Sequence, residues 1–258
     1  MKPHKVQGWL NPNIEDEEEF KKAVSEIFNI YANVDDLQEQ GVHVYSIDEK
    51  MGVSAREHTS KKQSMKPGVA ERVDPEYKRH GTTGIIAALK VATGEIIVPM
   101  VQPTRTELDF LIFAENVIGL NDGDRHIFLV DQLNIHMSAS LVKLVAEYEG
   151  LDVTELGKKG VSGILKNKKT RKEFLSREDH QIRFIYTPKH CSWLNQIECW
   201  FSIITRLLLN ARSSFTSVAQ LQQKIHRFID YYNEFLGKPF DWNNPKKFLR
   251  FDQYLVSS

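Results

Sequence analysis

The sequence predicts a mixed α/β sheet with helices on both faces. Three observations predict it. The apolar runs GIIAALKVA (84–92) and EIIVPMV (95–101) flank Thr93-Gly94, a hairpin signal in which glycine supplies the turn. Beyond that hairpin, helical and strand patterns alternate, which builds a sheet with helices packed against it. HIFLV (126–130) is apolar without alternation, as expected of a central strand covered on both sides.

Residues 1–13 read as the tail of a preceding segment, with Trp9-Leu10 isolated before the turn-forming Asn11-Pro12-Asn13. Residues 15–40 read as one helix, because Phe20, Val24, Ile27, Phe28 and Tyr31 recur at helical spacing. VHVYSI (42–47) is the first strand and ends at Asp48. Residues 49–80 have no clear period and contain Gly52, Pro67, Gly68 and Pro75, so they read as a long loop holding at most a short strand. After the hairpin, Thr104 and Glu107 have capping-box spacing and start a helix running to about Leu120. The turn Asn121-Asp122-Gly123-Asp124 leads into the central strand. Ser138 starts the next helix, with Leu141, Leu144, Val145 and Tyr148 as its buried stripe.

Residues 150–181 form a polar, basic insert, followed by the strand IRFIY (182–186), which Pro188 stops. Two helices close the pattern, one from Trp193 to about Leu209. The other starts near Ser217 and carries Val218, Leu221, Ile225, Phe228, Ile229, Tyr232 and Phe235 on one face. The organisation is therefore a linker and helix over 1–40, a main domain over 41–236 and a tail over 237–258.

Apolar residues make up 41% of the chain and charged residues 26%, ordinary for a soluble globular protein. No apolar stretch is long enough for a membrane span, and the N-terminus lacks the pattern of a signal peptide. Cys191 and Cys199 make no disulfide framework, so a reducing cytoplasm is the expected compartment. Net charge is zero, yet it is unevenly spread. Glu15 to Glu19 is an unbroken acidic run, which as a solvated face needs no partner. Lys158, Lys159, Lys166, Lys168, Lys169, Arg171 and Lys172 follow one another with no acid between them over 158–172. A local field of that kind suits DNA, though it also suits a solvated surface.

Three acids stand in unusual contexts. Asp48 closes GVHVYSIDE, Asp131 closes the strand of HIFLVDQLNIH, and Glu198 lies in TPKHCSWLNQIECWFSI on a polar stripe beside a buried helical face. Taken singly, each has a plain structural reading: a turn or cap for Asp48, a loop for Asp131, a solvated helix flank for Glu198. Glu49 competes with Asp48 one residue away. Brought together from two strand ends and a helix, the three make an oxygen-rich site for divalent metals, of the kind that cuts phosphodiesters. Asn134 and His136 could orient water, a metal ligand or a phosphate, or could serve only the loop. His190, Cys191 and Cys199 lack the spacing of a zinc site. Trp193 and Trp200 read as core.

YSIDE, FLVDQLNIH and YTPKHCSWLNQIECWFSI resemble the three catalytic blocks of DDE transposases, in particular the six-thirty insertion-sequence family of bacteria, relatives of mariner. HGTTG, VATGEII, PTRTE and KPFDW extend the resemblance across about residues 1–242. It implies a ribonuclease H-like fold, two magnesium or manganese ions held by Asp48, Asp131 and Glu198, and supporting roles for Asn134, His136 and Asn195. It implies nicking at transposon ends and attack of the freed 3′ hydroxyl on target DNA, typically at TA. It also implies double-stranded DNA as partner, a homodimer, and a bacterial cytoplasmic protein associated with the nucleoid when bound.

Two departures accompany it. The family's N-terminal helix-turn-helix region is represented only by KPHKVQGWLNPN, so a separate helix-turn-helix polypeptide is one possible partner. The 66 residues between Asp131 and Glu198 (132 to 197) are roughly twice the usual spacing, and the basic insert supplies the excess. A ribonuclease H-like nuclease acting by hydrolysis alone, and an inactive remnant that binds DNA or oligomerises, are the alternative readings.

Overall fold

The computed structural model describes residues 17–59, 68, 76–210 and 212–241. The expected tail at 1–13, most of the expected loop at 60–75 and the C-terminal tail from Trp242 lie outside the described residues.

Helix α1 (Glu17–Ala32) places Glu17, Glu18 and Glu19 in its first turn, where the helix dipole favours acids. The single helix expected over 15–40 is broken at Asn33. Its side-chain amide donates to the Asn29 carbonyl at 2.7 Å, an alternative to helical continuation, and α2 (Val34–Glu39) follows.

Strand β1 (Val42–His58) does not end at Asp48. It runs on to His58, through the first part of the expected loop, and pairs antiparallel with β2 (Tyr77–Lys90). Two register shifts, between Lys50 and Val53 and between Ser54 and Arg56, break the two-residue period, which is why no strand is readable there. The hairpin to β3 (Ile96–Gln102) turns at the expected place. Gly94 has φ +75° and a Cβ there would collide with the Lys238 carbonyl, so glycine is required twice over.

Helix α3 (Glu107–Ile118) starts two residues later than expected. Its N-cap is Thr106, which accepts from Asp109 N at 3.1 Å while Asp109 accepts from Thr106 N at 2.6 Å. Strand β4 (Arg125–Val130) and helix α4 (Ala139–Tyr148), capped by Ser138, match the sequence reading. The basic insert is built rather than loose. A 3₁₀ turn (Val153–Leu156) leads to a two-residue hairpin, β5 (Gly157–Lys158) with β6 (Ser162–Gly163), then to α5 (Lys168–Leu175). Leu156, Leu165, Phe174 and Leu175 of this segment are buried in the main core. Strand β7 (Ile182–Tyr186) precedes α6 (Ile197–Leu207) and α7 (Val218–Phe235). Trp193 lies in a 3₁₀ turn before α6 and is 44% exposed, so of the two tryptophans only Trp200 is core.

The main sheet has the order β3-β2-β1-β4-β7, antiparallel across the first three strands and parallel across the rest. Tyr45, Ile47, Ile86, Ala88, Phe128 and Phe184 face α3, α4 and α5. On the other face Ile85, Ala87 and Leu89 pack against α6 and α7, while Val44, Leu129 and Ile185 pack against α1. This is the mixed, ribonuclease H-like sheet with helices on both faces that the sequence predicts.

Candidate active site

Register sets the site. Ser46 of β1 pairs with Leu129 of the parallel β4, so two residues further along Asp48 lies level with Asp131. Asp48 is opposite Ala87 and therefore shares the face covered by α6. Glu49, opposite Ile86, points to the α3–α4 face instead. The two adjacent acids are thus divided by the sheet, and Glu49 does not compete with Asp48 for one position.

Asn195 brings in the third acid. It is buried, donates to the Ile47 carbonyl at 2.8 Å and accepts from the Ser46 hydroxyl; Ile197 N donates to that same hydroxyl at 2.9 Å. Tyr31 adds a bond from its hydroxyl to the Leu194 carbonyl at 2.8 Å. The first turn of α6, which carries Glu198, is therefore tied to the strand positions just before Asp48.

The electrostatics register the result. Burial pushes Asp48 up to about 7, and the charges of Glu49, Asp131 and Glu198 add to the rise against one opposing bond from Glu49 N. Glu198 is raised by burial and by Asp131, with Lys50 acting against it. Asp131 goes the other way: burial alone would raise it, but the bond and charge of His136 and the Leu133 N–H hold it below the usual carboxylate range.

His136 is fully buried and bridges two carboxylates. Nε2 lies 2.8 Å from Glu49 Oε1, and Nδ1 lies 2.8 Å from Asp131 Oδ1. Burial alone would lower His136, yet these two partners lift it to about 9, so it is an imidazolium. Arg105 Nη1 stands 3.6 Å from Glu49 Oε2. The sequence offers Glu49 only as a rival to Asp48 and does not single out Arg105, which lies in the PTRTE block. Asn134 is exposed at the start of a 3₁₀ turn and makes no side-chain hydrogen bond among the described residues.

Three hard oxygen donors suit a divalent cation such as magnesium or manganese. Asp131 accepts both its bonds on Oδ1 and Asp48 accepts its bond on Oδ1, so each keeps Oδ2 free, and neither Glu198 side-chain oxygen accepts a bond among the described residues. The chemistry fits. The spacing is open: among the described residues, no three His, Cys, Asp or Glu side chains are gathered tightly enough to hold an ion as they stand. The same holds for His190, Cys191 and Cys199, and both cysteines are free.

The basic residues of the insert divide. Lys158, Lys159, Lys166, Lys168 and Lys169 are exposed. Arg171 is committed to the fold, with Nε on the Met137 carbonyl at 2.6 Å and Nη1 on the Leu165 carbonyl at 3.1 Å. Lys168 reaches the Gln132 carbonyl at 2.7 Å, next to Asp131, and Lys172 lies over the Tyr186 ring. Helix α5 thus braces the loop that carries Asp131 and His136.

A family model described as DDE superfamily endonuclease matches residues 43–222, from β1 into α7. The chain belongs to the DDE superfamily endonucleases. All three acids, Asn195 and the insert fall within that DDE domain. Among solved structures, the Mos1 mariner paired end complex with Mn is 13% identical, with a TM-score of 0.47, covering 88% of this chain and 60% of that one. The catalytic domain of Mos1 mariner transposase is 12% identical, with a TM-score of 0.44, covering 86% of this chain and 85% of that one. The chain spans about 60% of the length of the first of these. None of the curated proteins matches the sequence. No helix of the described residues is long and apolar enough to cross a membrane.

Proposed function

We propose that the chain is the catalytic part of a DDE transposase of the six-thirty insertion-sequence family, cutting DNA at element ends and joining the freed 3′ hydroxyl to target DNA. Membership of the DDE endonucleases supports phosphodiester chemistry on nucleic acid. The observation that carries the site assignment is geometric: Asp48 lies level with Asp131 on parallel strands, and the bonds of Asn195 and Ile197 tie the first turn of α6, with Glu198, to the positions just before Asp48. Burial and the neighbouring carboxylates, Asp131 and Glu198 among them, raise Asp48 to about 7. Such a cluster is at ease only when protonated or when it faces a cation.

Asp48, Asp131 and Glu198 would hold the ions, magnesium or manganese, as a pair. When bound, the metal supplies charge neutralisation for in-line attack at phosphorus. The chain's own residues do the positioning. His136 pins one oxygen of Asp131 and leaves the other toward the site. Asn195 fixes α6 so that Glu198 faces the two aspartates. Exposed lysines of the insert, Lys158, Lys159, Lys166, Lys168 and Lys169, offer contacts to the DNA backbone. A homodimer, and a helix-turn-helix segment or polypeptide that selects the element ends, complete the proposed assembly.

The test is nicking of supercoiled DNA with magnesium, compared between the natural chain and Asp131→Ala. Metal-dependent cleavage lost in the variant, with DNA affinity retained, is the expected result. Cleavage that persists in Asp131→Ala removes the site. Strand-transfer products on a TA-containing plasmid distinguish transposition from hydrolysis alone.

A further inference from the structure

An open cavity of about 370 Å³ lies directly beside Glu198, lined by Lys50, Glu198, Phe201, Ser202, Thr205 and Arg206. Four of these, at positions 198, 201, 202 and 205, are one face of α6, since residues three, four and seven apart lie above one another on a helix. Lys50 closes the cavity from β1. It pairs with Ile85 two residues beyond Asp48, so both side chains leave the same face of the sheet. Its ammonium sits 5.8 Å from the centre of the Phe201 ring, which holds a cation over an apolar floor.

Neither Lys50 nor Arg206 forms an ion pair with any of the described residues, whereas Arg177, Arg183, Lys21 and Lys159 are paired. The two hydroxyls of the wall are spent as donors on their own helix: Ser202 on the Glu198 carbonyl at 3.0 Å and Thr205 on the Phe201 carbonyl at 2.6 Å. Their remaining lone pairs offer nothing to an anion. The cavity's donors are therefore the two unpaired cations, one near the acids and one a full two turns along the helix.

We infer that this cavity is a backbone-phosphate subsite, which takes the DNA strand as it leaves the carboxylates and runs along α6. The inference deepens the transposase reading and rests on it. From Glu198 to Arg206 the helix advances about 12 Å at about 1.5 Å per residue. Successive phosphates wind around the duplex and stand wider apart along the strand than the rise of about 3.4 Å per charge along its axis, so roughly two fit along that length. Lys50 meets the phosphate beside the reacting one, and Arg206 meets a phosphate further along the same strand.

The test measures binding of a labelled DNA duplex to the full chain in calcium, against salt, for the natural protein, Lys50→Gln/Arg206→Gln and the charge-preserving swap Lys50→Arg/Arg206→Lys. Two lost phosphate contacts lower the slope of log affinity against log salt by about two. The expected result is that drop, affinity weakened about tenfold near physiological salt, and recovery in the swap. An unchanged slope, or a swap that fails to recover, overturns the subsite. At constant ionic strength, inorganic phosphate should not displace the duplex. Displacement that disappears in the double glutamine variant would make this a free-phosphate site and overturn the DNA assignment. Cleavage by the natural chain and by Asp131→Ala is scored separately. Loss in Asp131→Ala keeps the catalytic reading whatever the slopes show, and persistence there sinks it independently.

Discussion

Asp48 and Glu49 are neighbours in one strand, and the two faces of the sheet treat them oppositely. Glu49 is fully buried, bonded to the His136 imidazolium at 2.8 Å and approached by Arg105 at 3.6 Å. Its charge is compensated by the fold. Asp48 faces α6, where its closest charged company is other carboxylates, and it is raised to about 7. Among the described residues no cation pairs with it, and its one bond comes from Glu49 N at 2.7 Å. Folding has balanced one face and left the other short of positive charge, beside a groove whose two cations are themselves unpaired. A deficit retained next to a balanced neighbour marks where a ligand completes the structure.

The most damaging test of this contrast is Asp131→Ala, which should reduce DNA cleavage to background with DNA affinity retained, read by plasmid nicking and anisotropy. Next is Glu49→Ala, which leaves His136 half unpaired in the core. It should cost about 3–5 kcal/mol in urea unfolding at neutral pH. The sign with pH follows from His136, whose folded value of about 9 exceeds its ordinary 6.5. The stabilisation is complete below about 6.5 and is lost as pH rises through about 9, so the penalty of Glu49→Ala should shrink there.

Asp48→Asn should do the reverse of Glu49→Ala. Asp48 rises from 3.8 to about 7 on folding, so its ionisation opposes folding increasingly as pH climbs through that window. Without divalent metal at pH 8, above that value of about 7, the variant should be more stable by about 1–3 kcal/mol. At pH 3.5, below the ordinary 3.8, the gain should vanish. A destabilised variant at pH 8 would break the contrast between the faces. Asn195→Ala, which unties α6 from β1, should cost about 1–3 kcal/mol through unsatisfied buried groups and lower cleavage beyond what lost stability explains. The smallest effect on folding is expected for Lys166→Gln/Lys169→Gln. These exposed lysines should leave urea unfolding unchanged while lowering the salt slope of DNA binding by about two.

Much of this was legible in the residues. The unalternating apolar run at 126–130, the Thr93-Gly94 turn and the stripes of α4 and α7 each announce their element, because a single period or a single glycine decides it. Asp131 and Glu198 were legible as the end of a central strand and a polar helix flank. The second half of β1 was not, because two register shifts scramble the alternation over Lys50 to Arg56. With that arm hidden, Asp48 looked like a strand terminus and Glu49 like its rival. Only the pairing with β2 reveals which face each occupies. The insert misled through composition: all its lysines but Lys172 are exposed, while Leu156, Leu165, Phe174 and Leu175 are too widely spaced to read as core. Arg171, read as a DNA contact, is spent on two carbonyls.

Manganese binding to the full chain, followed by electron paramagnetic resonance as a function of pH, tests the shared carboxylate site most directly. Binding should strengthen as pH rises through about 7, where Asp48 gives up its proton, and should weaken at least about tenfold in each of Asp48→Asn, Asp131→Asn and Glu198→Gln. Manganese bound equally well by all three variants would contradict the account.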